Sequence, residues 1–171
     1  MELQKIKMAF FDFDDTLQIN PIRHNRWESY ESELIELNQQ PKTSDLTLWR
    51  DSFCPSRMKE FVKTITDTCL SYVLTHEVSS QWILPKQLKI CEEYGDVFED
   101  LIIAGCIQDK ITIMRALMQA ADLRPDEILF VDDNTNTQLL ARAEGFIVVS
   151  PIEILGHDKP EALAKTILGG C

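Results

Sequence analysis

Two short apolar runs in this 171-residue chain end in clustered acids. The first reads Phe10-Phe11-Asp12-Phe13-Asp14-Asp15-Thr16-Leu17, and the second Ile128-Leu129-Phe130-Val131-Asp132-Asp133. Carboxylates left unpaired in a core are costly, so acids at such positions mark either a solvated turn or a site. Alternate residues on a strand share a face. Asp12 and Asp14 can therefore point together, unless the chain turns between them. Two parallel strands can also bring their carboxyl ends side by side. Asp12, Asp14, Asp132 and Asp133 then repel one another, and a divalent cation relieves that repulsion. Carboxylate oxygens are the ligands that magnesium prefers. Alone, the first run reads equally well as a solvated acidic turn, and for the two pairs together the plainer alternative is two unrelated helix caps. Both pairs at matching strand ends favour the cation site.

Two further residues suit an anion. Lys110 falls in the first turn of an expected helix, where it opposes the helix dipole but strengthens the pull of a helix start on anions. Thr75 ends a short strand, and its hydroxyl can bond a phosphate oxygen. Alone, Lys110 reads as a surface lysine and Thr75 as an ordinary turn residue.

The elements that must position these groups alternate. Strands are expected over Lys7–Phe13, Leu70–Thr75, Leu101–Ala104, Glu127–Val131 and Phe146–Val149. Helices are expected over Pro55–Asp67, Ser80–Tyr94, Lys110–Ala121, Thr135–Glu144 and Pro160–Leu168. Met58, Phe61, Val62 and Ile65 form one apolar stripe. Asp109 is a candidate cap for the Lys110 helix, and Gly145 for a left-handed stop. The alternation implies an α/β, three-layer Rossmann-like fold: a central parallel five-stranded sheet covered on both faces. Ligands bind such sheets at the carboxyl ends of the strands, where the acids, Thr75 and Lys110 fall. We read the chain as a single domain, 1–171, with 20–54 a small cap-like insert after the first strand.

Composition narrows the partners. The net charge of −11 argues against nucleic acid, because phosphate backbones need Lys and Arg. The five cysteines are scattered and odd in number, which fits reduced thiols in the cytoplasm. Cys171 reads as a frayed end. The longest apolar run, Leu101 to Ile107, falls far short of the ~20 residues of a membrane span.

The order of these residues resembles the haloacid dehalogenase superfamily of phosphotransferases. Its first motif is matched by Phe11-Asp12-Phe13-Asp14-Asp15-Thr16-Leu17, and its second by Tyr72-Val73-Leu74-Thr75. Lys110 matches the third, and Phe130-Val131-Asp132-Asp133 the fourth. The match runs from about residue 6 to 150. The resemblance implies that Asp12 is a nucleophile forming an aspartyl-phosphate. It implies that Asp14 protonates the leaving group and then activates water. Mg2+ would be held by Asp12, the backbone carbonyl of Asp14, and Asp133, with Asp132 in support. Thr75 and Lys110 would hold the phosphoryl oxygens. The implied activity is magnesium-dependent hydrolysis of a phosphomonoester, small or macromolecular. A phosphoryl- or acyl-group transferase shares the first half-reaction. A non-catalytic ligand-binding protein is the third reading, and the intact Asp12, Asp14, Lys110 and Asp133 argue against it.

The chain departs from the family pattern in places. Thr137 stands where many relatives carry a further Asp, with Asn134 and Asn136 nearby. His76 and Glu77 follow Thr75, where small or amide residues are common. The insert holds Arg23, His24, Arg26, Trp27, Trp49 and Arg50. We expect the tryptophans to anchor it and the arginines to be solvated.

Overall fold

A computed structural model of the chain describes residues 5–20 and 52–169. The bulk of the expected insert, with all six of its residues named above, lies outside them, as does Cys171. The described elements run β1 (Met8–Phe11), α1 (Ser56–Thr66), β2 (Leu70–His76), α2 (Ile83–Tyr94), β3 (Asp100–Ala104) and α3 (Ile107–Ala120). They continue as β4 (Ile128–Val131), α4 (Thr135–Ala143), β5 (Ile147–Val149), α5 (Pro151–Leu155) and α6 (Pro160–Ile167).

The strands form the expected five-stranded parallel sheet, in the order β3-β2-β1-β4-β5. The order reverses at β1, so its carboxyl end opens beside that of β4, the usual ligand crevice of such sheets. The register aligns the two acid runs: Phe11 lies opposite Val131, so Asp12 and Asp132 follow side by side.

The apolar runs lack hydrophobic–polar alternation because both faces of the sheet are covered. Met8 and Phe10 of β1, with Ile128 and Phe130 of β4, pack with Ile111, Met114 and Met118 of α3 and Ala141 of α4. Ala9 and Phe11, with Leu129 and Val131, pack on the other side with Met58, Phe61, Val62 and Ile65 of α1 and Ala164 of α6. Ile90 of α2 belongs to that second layer. One layer therefore carries α3 and α4, and the other carries α1, α2 and α6.

Several boundaries move. Helix α3 begins at Ile107 rather than Lys110, and Asp109 is its third residue. The Asp109 carboxylate accepts from the Cys106 N–H at 3.0 Å, closing the helix start from inside rather than capping it. Pro55 precedes α1 rather than opening it. A 3-10 turn at Ser80–Trp82 leads into α2, with Pro85 tolerated in the first turn, where no N–H is needed. Gly145 does take the left-handed conformation expected of it, with φ +88°. Helix α5 was not anticipated. The Ser150 hydroxyl accepts from the Glu153 N–H, and the Glu153 carboxylate accepts from the Ser150 N–H at 2.7 Å.

The chain leaves and rejoins the described fold at one point. Ile19 and Phe53 exchange backbone hydrogen bonds of 2.8 and 3.1 Å, and the Asn20 side chain donates to Ser52 Oγ at 3.1 Å. Between β2 and β3 stand only the 3-10 turn and α2. No helix among the described residues is long and apolar enough to cross a membrane.

Candidate active site

The alternation of β1 decides where Asp12 points. Phe11 faces the α1 layer, so the next side chain faces α3. Val131 also faces α1, which turns Asp132 the same way. Lys110 of α3 meets both carboxylates. Its Nζ lies 2.6 Å from Asp12 Oδ1 and 2.8 Å from Asp132 Oδ2. All three residues are buried, Asp132 completely. Asp132 Oδ1 also accepts from the Asn134 N–H at 2.7 Å. Both Asp132 oxygens are thus engaged within the protein.

Asp14 goes elsewhere. Phe13 returns to the α1 layer as a core residue, and the chain turns at Asp15, with φ +57°. The Asp14 carboxylate meets Lys86 of α2 at 2.6 Å. Lys86 Nζ also lies 2.9 Å from Glu77 Oε2 and 3.5 Å from Thr75 Oγ1. Thr75, at the end of β2, is buried. The ends of the central strands therefore hold two ammonium groups from opposite layers of the sandwich, Lys110 beside Asp12 and Lys86 beside Asp14. Sequence reasoning missed Lys86 and treated Glu77 only as a departure. A signal existed: Lys86 lies on the Ile83–Ile90 stripe of α2, a poor place for a solvated lysine.

Asp12, Asp132 and Asp133 offer carboxylate oxygens all within 4.8 Å of one another. This donor set fits a hard divalent cation such as magnesium, and lacks the nitrogen or sulfur ligands usual for zinc. Thr16 Oγ1 and Thr137 Oγ1 are buried without a protein partner among the described residues. Gln18 Oε1 is in the same state, and buried polar atoms without partners call for water or an ion. The residues present thus fit a hydrated cation.

The electrostatics show the strain of the cluster. Burial raises the Asp12 pKa from an ordinary 3.8 to about 7, with Lys110 pulling it down and Asp132 pushing it up. Burial likewise raises Asp132, against Lys110. Lys110 is pushed down by burial and up more strongly by Asp12 and Asp132, so its charge is secure. Glu77 is raised by burial, yet its bonds to Lys86 and the Ser79 N–H bring it below its ordinary 4.5.

These shifts predict how stability varies with pH. A carboxyl group raised from 3.8 to about 7 contributes stability that is full below 3.8 and lost as the pH climbs through about 7. Glu77 acts oppositely, losing its contribution as the pH falls below its ordinary 4.5. Between about pH 5 and 8 the Asp12 effect therefore governs. The melting temperature of the metal-free protein is expected to fall across that interval. Magnesium should raise it more at the alkaline end. A metal-free profile that rises with pH would contradict this account of Asp12.

No protein-family model matches the chain, and no curated relative matches it. Its fold matches solved structures. A haloacid dehalogenase-like family hydrolase from Xanthomonas campestris superposes with a TM-score of 0.60 at 12% identity, over 99% of this chain and 94% of that one. Another from Streptococcus pneumoniae gives 0.58 at 16% identity, over 95% and 99%. A haloacid dehalogenase family enzyme from Bacteroides thetaiotaomicron, in a magnesium complex, gives 0.53 at 15% identity, over 94% and 99%. The chain has the haloacid dehalogenase-like fold.

Proposed function

We propose that the protein is a magnesium-dependent phosphohydrolase that cleaves a phosphomonoester through an aspartyl-phosphate on Asp12. One observation carries this reading: Asp12 and Asp132, adjacent at the carboxyl ends of β1 and β4, are joined by the buried Lys110 within a cluster of carboxylates suited to a hard cation. A merely structural cluster would balance its charges. Among the described residues at the strand ends, Asp12, Asp14, Glu77 and Asp132 outnumber Lys86 and Lys110. A divalent cation would offset the excess.

Asp12 and Asp133, with the backbone carbonyl of Asp14, would hold Mg2+, and Asp132 supports them, its own oxygens being engaged. When bound, the cation would neutralise charge on the phosphoryl oxygens. An Asp12 oxygen attacks phosphorus as the ester P–O bond breaks, and Asp14 gives its proton to the departing oxygen. Asp14 then takes a proton from water, whose oxygen attacks phosphorus. The bond to Asp12 breaks and inorganic phosphate leaves. Lys110 and the Thr75 hydroxyl stabilise the phosphoryl oxygens throughout. The magnesium complex of the Bacteroides protein is consistent with this choice of metal. The scattered thiols suit the cytoplasm, and the segment 20–54 would act as a small cap on one domain spanning 1–171.

The test is phosphate release from a panel of phosphomonoesters with and without magnesium. Turnover that requires magnesium is expected. No release from any ester, with magnesium bound, would overturn the reading. Turnover only with an added acceptor would make the protein a transferase.

A further inference from the structure

The phosphohydrolase reading assigns work to Lys110 and none to Lys86. Yet the Lys86 side chain is 2% exposed, and burying an ammonium is costly unless partners compensate. An apolar residue on the buried stripe of α2 would meet the needs of packing. The partners of Lys86 explain what the charge does instead. Its Nζ lies 2.6 Å from Asp14 Oδ2, 2.9 Å from Glu77 Oε2 and 3.5 Å from Thr75 Oγ1. The Phe13 ring lies beneath it, 5.5 Å to the centroid. An ammonium has three N–H donors, and these three oxygens account for them. None is left over for a substrate oxygen in this arrangement.

The contrast with Asp14 is informative. Asp14 stands in a turn and its side chain is 42% exposed. A carboxylate so placed samples several rotamers within nanoseconds, whereas proton transfer needs it within hydrogen-bond reach of one atom. Lys86 is also held by Glu77, which is itself mostly buried and fastened by the Ser79 N–H to its Oε1 at 2.9 Å.

We propose that Lys86 is a positioning residue: anchored by Glu77, it fixes the Asp14 carboxyl group for proton delivery to the leaving oxygen. This rests on the phosphohydrolase reading, in which Asp14 is the acid and base. Lys86 itself exchanges no proton. The Asp14 proton goes to the ester oxygen as the P–O bond breaks, and Asp14 regains one from water.

The experiment compares two esters in the presence of magnesium. The p-nitrophenolate of p-nitrophenyl phosphate departs without a proton, while the alkoxide of β-glycerophosphate needs one. For each, kcat/KM reports the steps up to departure of the leaving group. Lys86→Met should lower kcat/KM for β-glycerophosphate by roughly 100-fold and for p-nitrophenyl phosphate by under about 10-fold. Little change in KM is expected. Lys86→Arg should restore much of the difference, and Glu77→Gln should shift the ratio in the same direction by less. If Lys86→Met does not fold, Glu77→Gln carries the same comparison. Equal losses on both esters, or a raised KM with kcat preserved, would overturn the proposal; the latter would make Lys86 a phosphate ligand. A wild-type protein inert on both esters would overturn the phosphohydrolase reading and this proposal with it. An active wild type whose variants keep the ratio unchanged would overturn this proposal alone.

Discussion

Asp12→Asn is expected to remove turnover by roughly 10⁴-fold or more, while the metal-free protein melts no lower than the wild type and gains several degrees near neutral pH. The two effects have one origin. Asp12 is buried at 6% exposure, shares Lys110 with Asp132, and is raised to about 7 chiefly by its burial. An ionised carboxylate there is held at a cost to the fold. Asparagine keeps an oxygen for Lys110 and removes the charge, leaving one ammonium against one carboxylate. A gain of ~1 kcal/mol moves the melting temperature of a domain this size by ~2–4 °C. On the proposed mechanism the same change removes the nucleophilic oxygen and one cation ligand, so the stabilisation by magnesium should shrink in parallel. The measurement is thermal melting of both proteins with and without magnesium, beside phosphate release. An inactive variant that also melts far below the wild type would mean that Asp12 is structural. Retained turnover would remove it as the nucleophile.

Lys110→Met should have the opposite effect on stability. The side chain is replaced by one of similar length, but Asp12 and Asp132 stay buried with no cation between them. Breaking a buried pair in this way costs about 3–5 kcal/mol. The loss should be largest near pH 8 and smaller near pH 5, where Asp12, already raised to about 7, takes up a proton. Magnesium should recover part of the loss if, as proposed, it binds the same carboxylates. Any remaining turnover should fall by ~10²–10³-fold, the usual effect of deleting a charge stabiliser at a reacting centre. Urea titrations at both pH values, each with and without magnesium, read these effects together. An unchanged unfolding midpoint at pH 8 would show that Lys110 is not what holds the two acids.

Much of this arrangement is legible in the order of residues, because strand periodicity and strand length are local properties. The apolar runs ending at Phe11 and Val131 mark two strands buried on both faces, and the acids after them mark the strand ends. Gly145 marks the end of α4, since only a residue without Cβ adopts φ +88° at little cost. Other local signals were present but easily passed over. Ser150 and Glu153 have the spacing of a capping box, yet α5 is too short to show hydrophobic periodicity. Asp109 has the residue type of a cap, but its carboxylate folds back onto Cys106 from the third helical position. Gly105 helps, since a Cβ there would come within 3.1 Å of Asp109 Oδ2.

Which groups stand at the strand ends follows from the order of residues: Asp12 and Asp14, Thr75, and Asp132 with Asp133, with Lys110 near the start of the helix that follows β3. Local hydrogen bonding and side-chain alternation decide that much. How these groups pair depends on the assembled fold. The parallel register sets Asp12 beside Asp132 and directs both toward α3, where Lys110 joins them. The turn at Asp15 takes Asp14 out of the strand alternation and across to Lys86, a residue of the opposite layer and 72 positions away. No local pattern relates those two residues, because their contact depends on how α2 packs against the sheet beside the turn that follows β1.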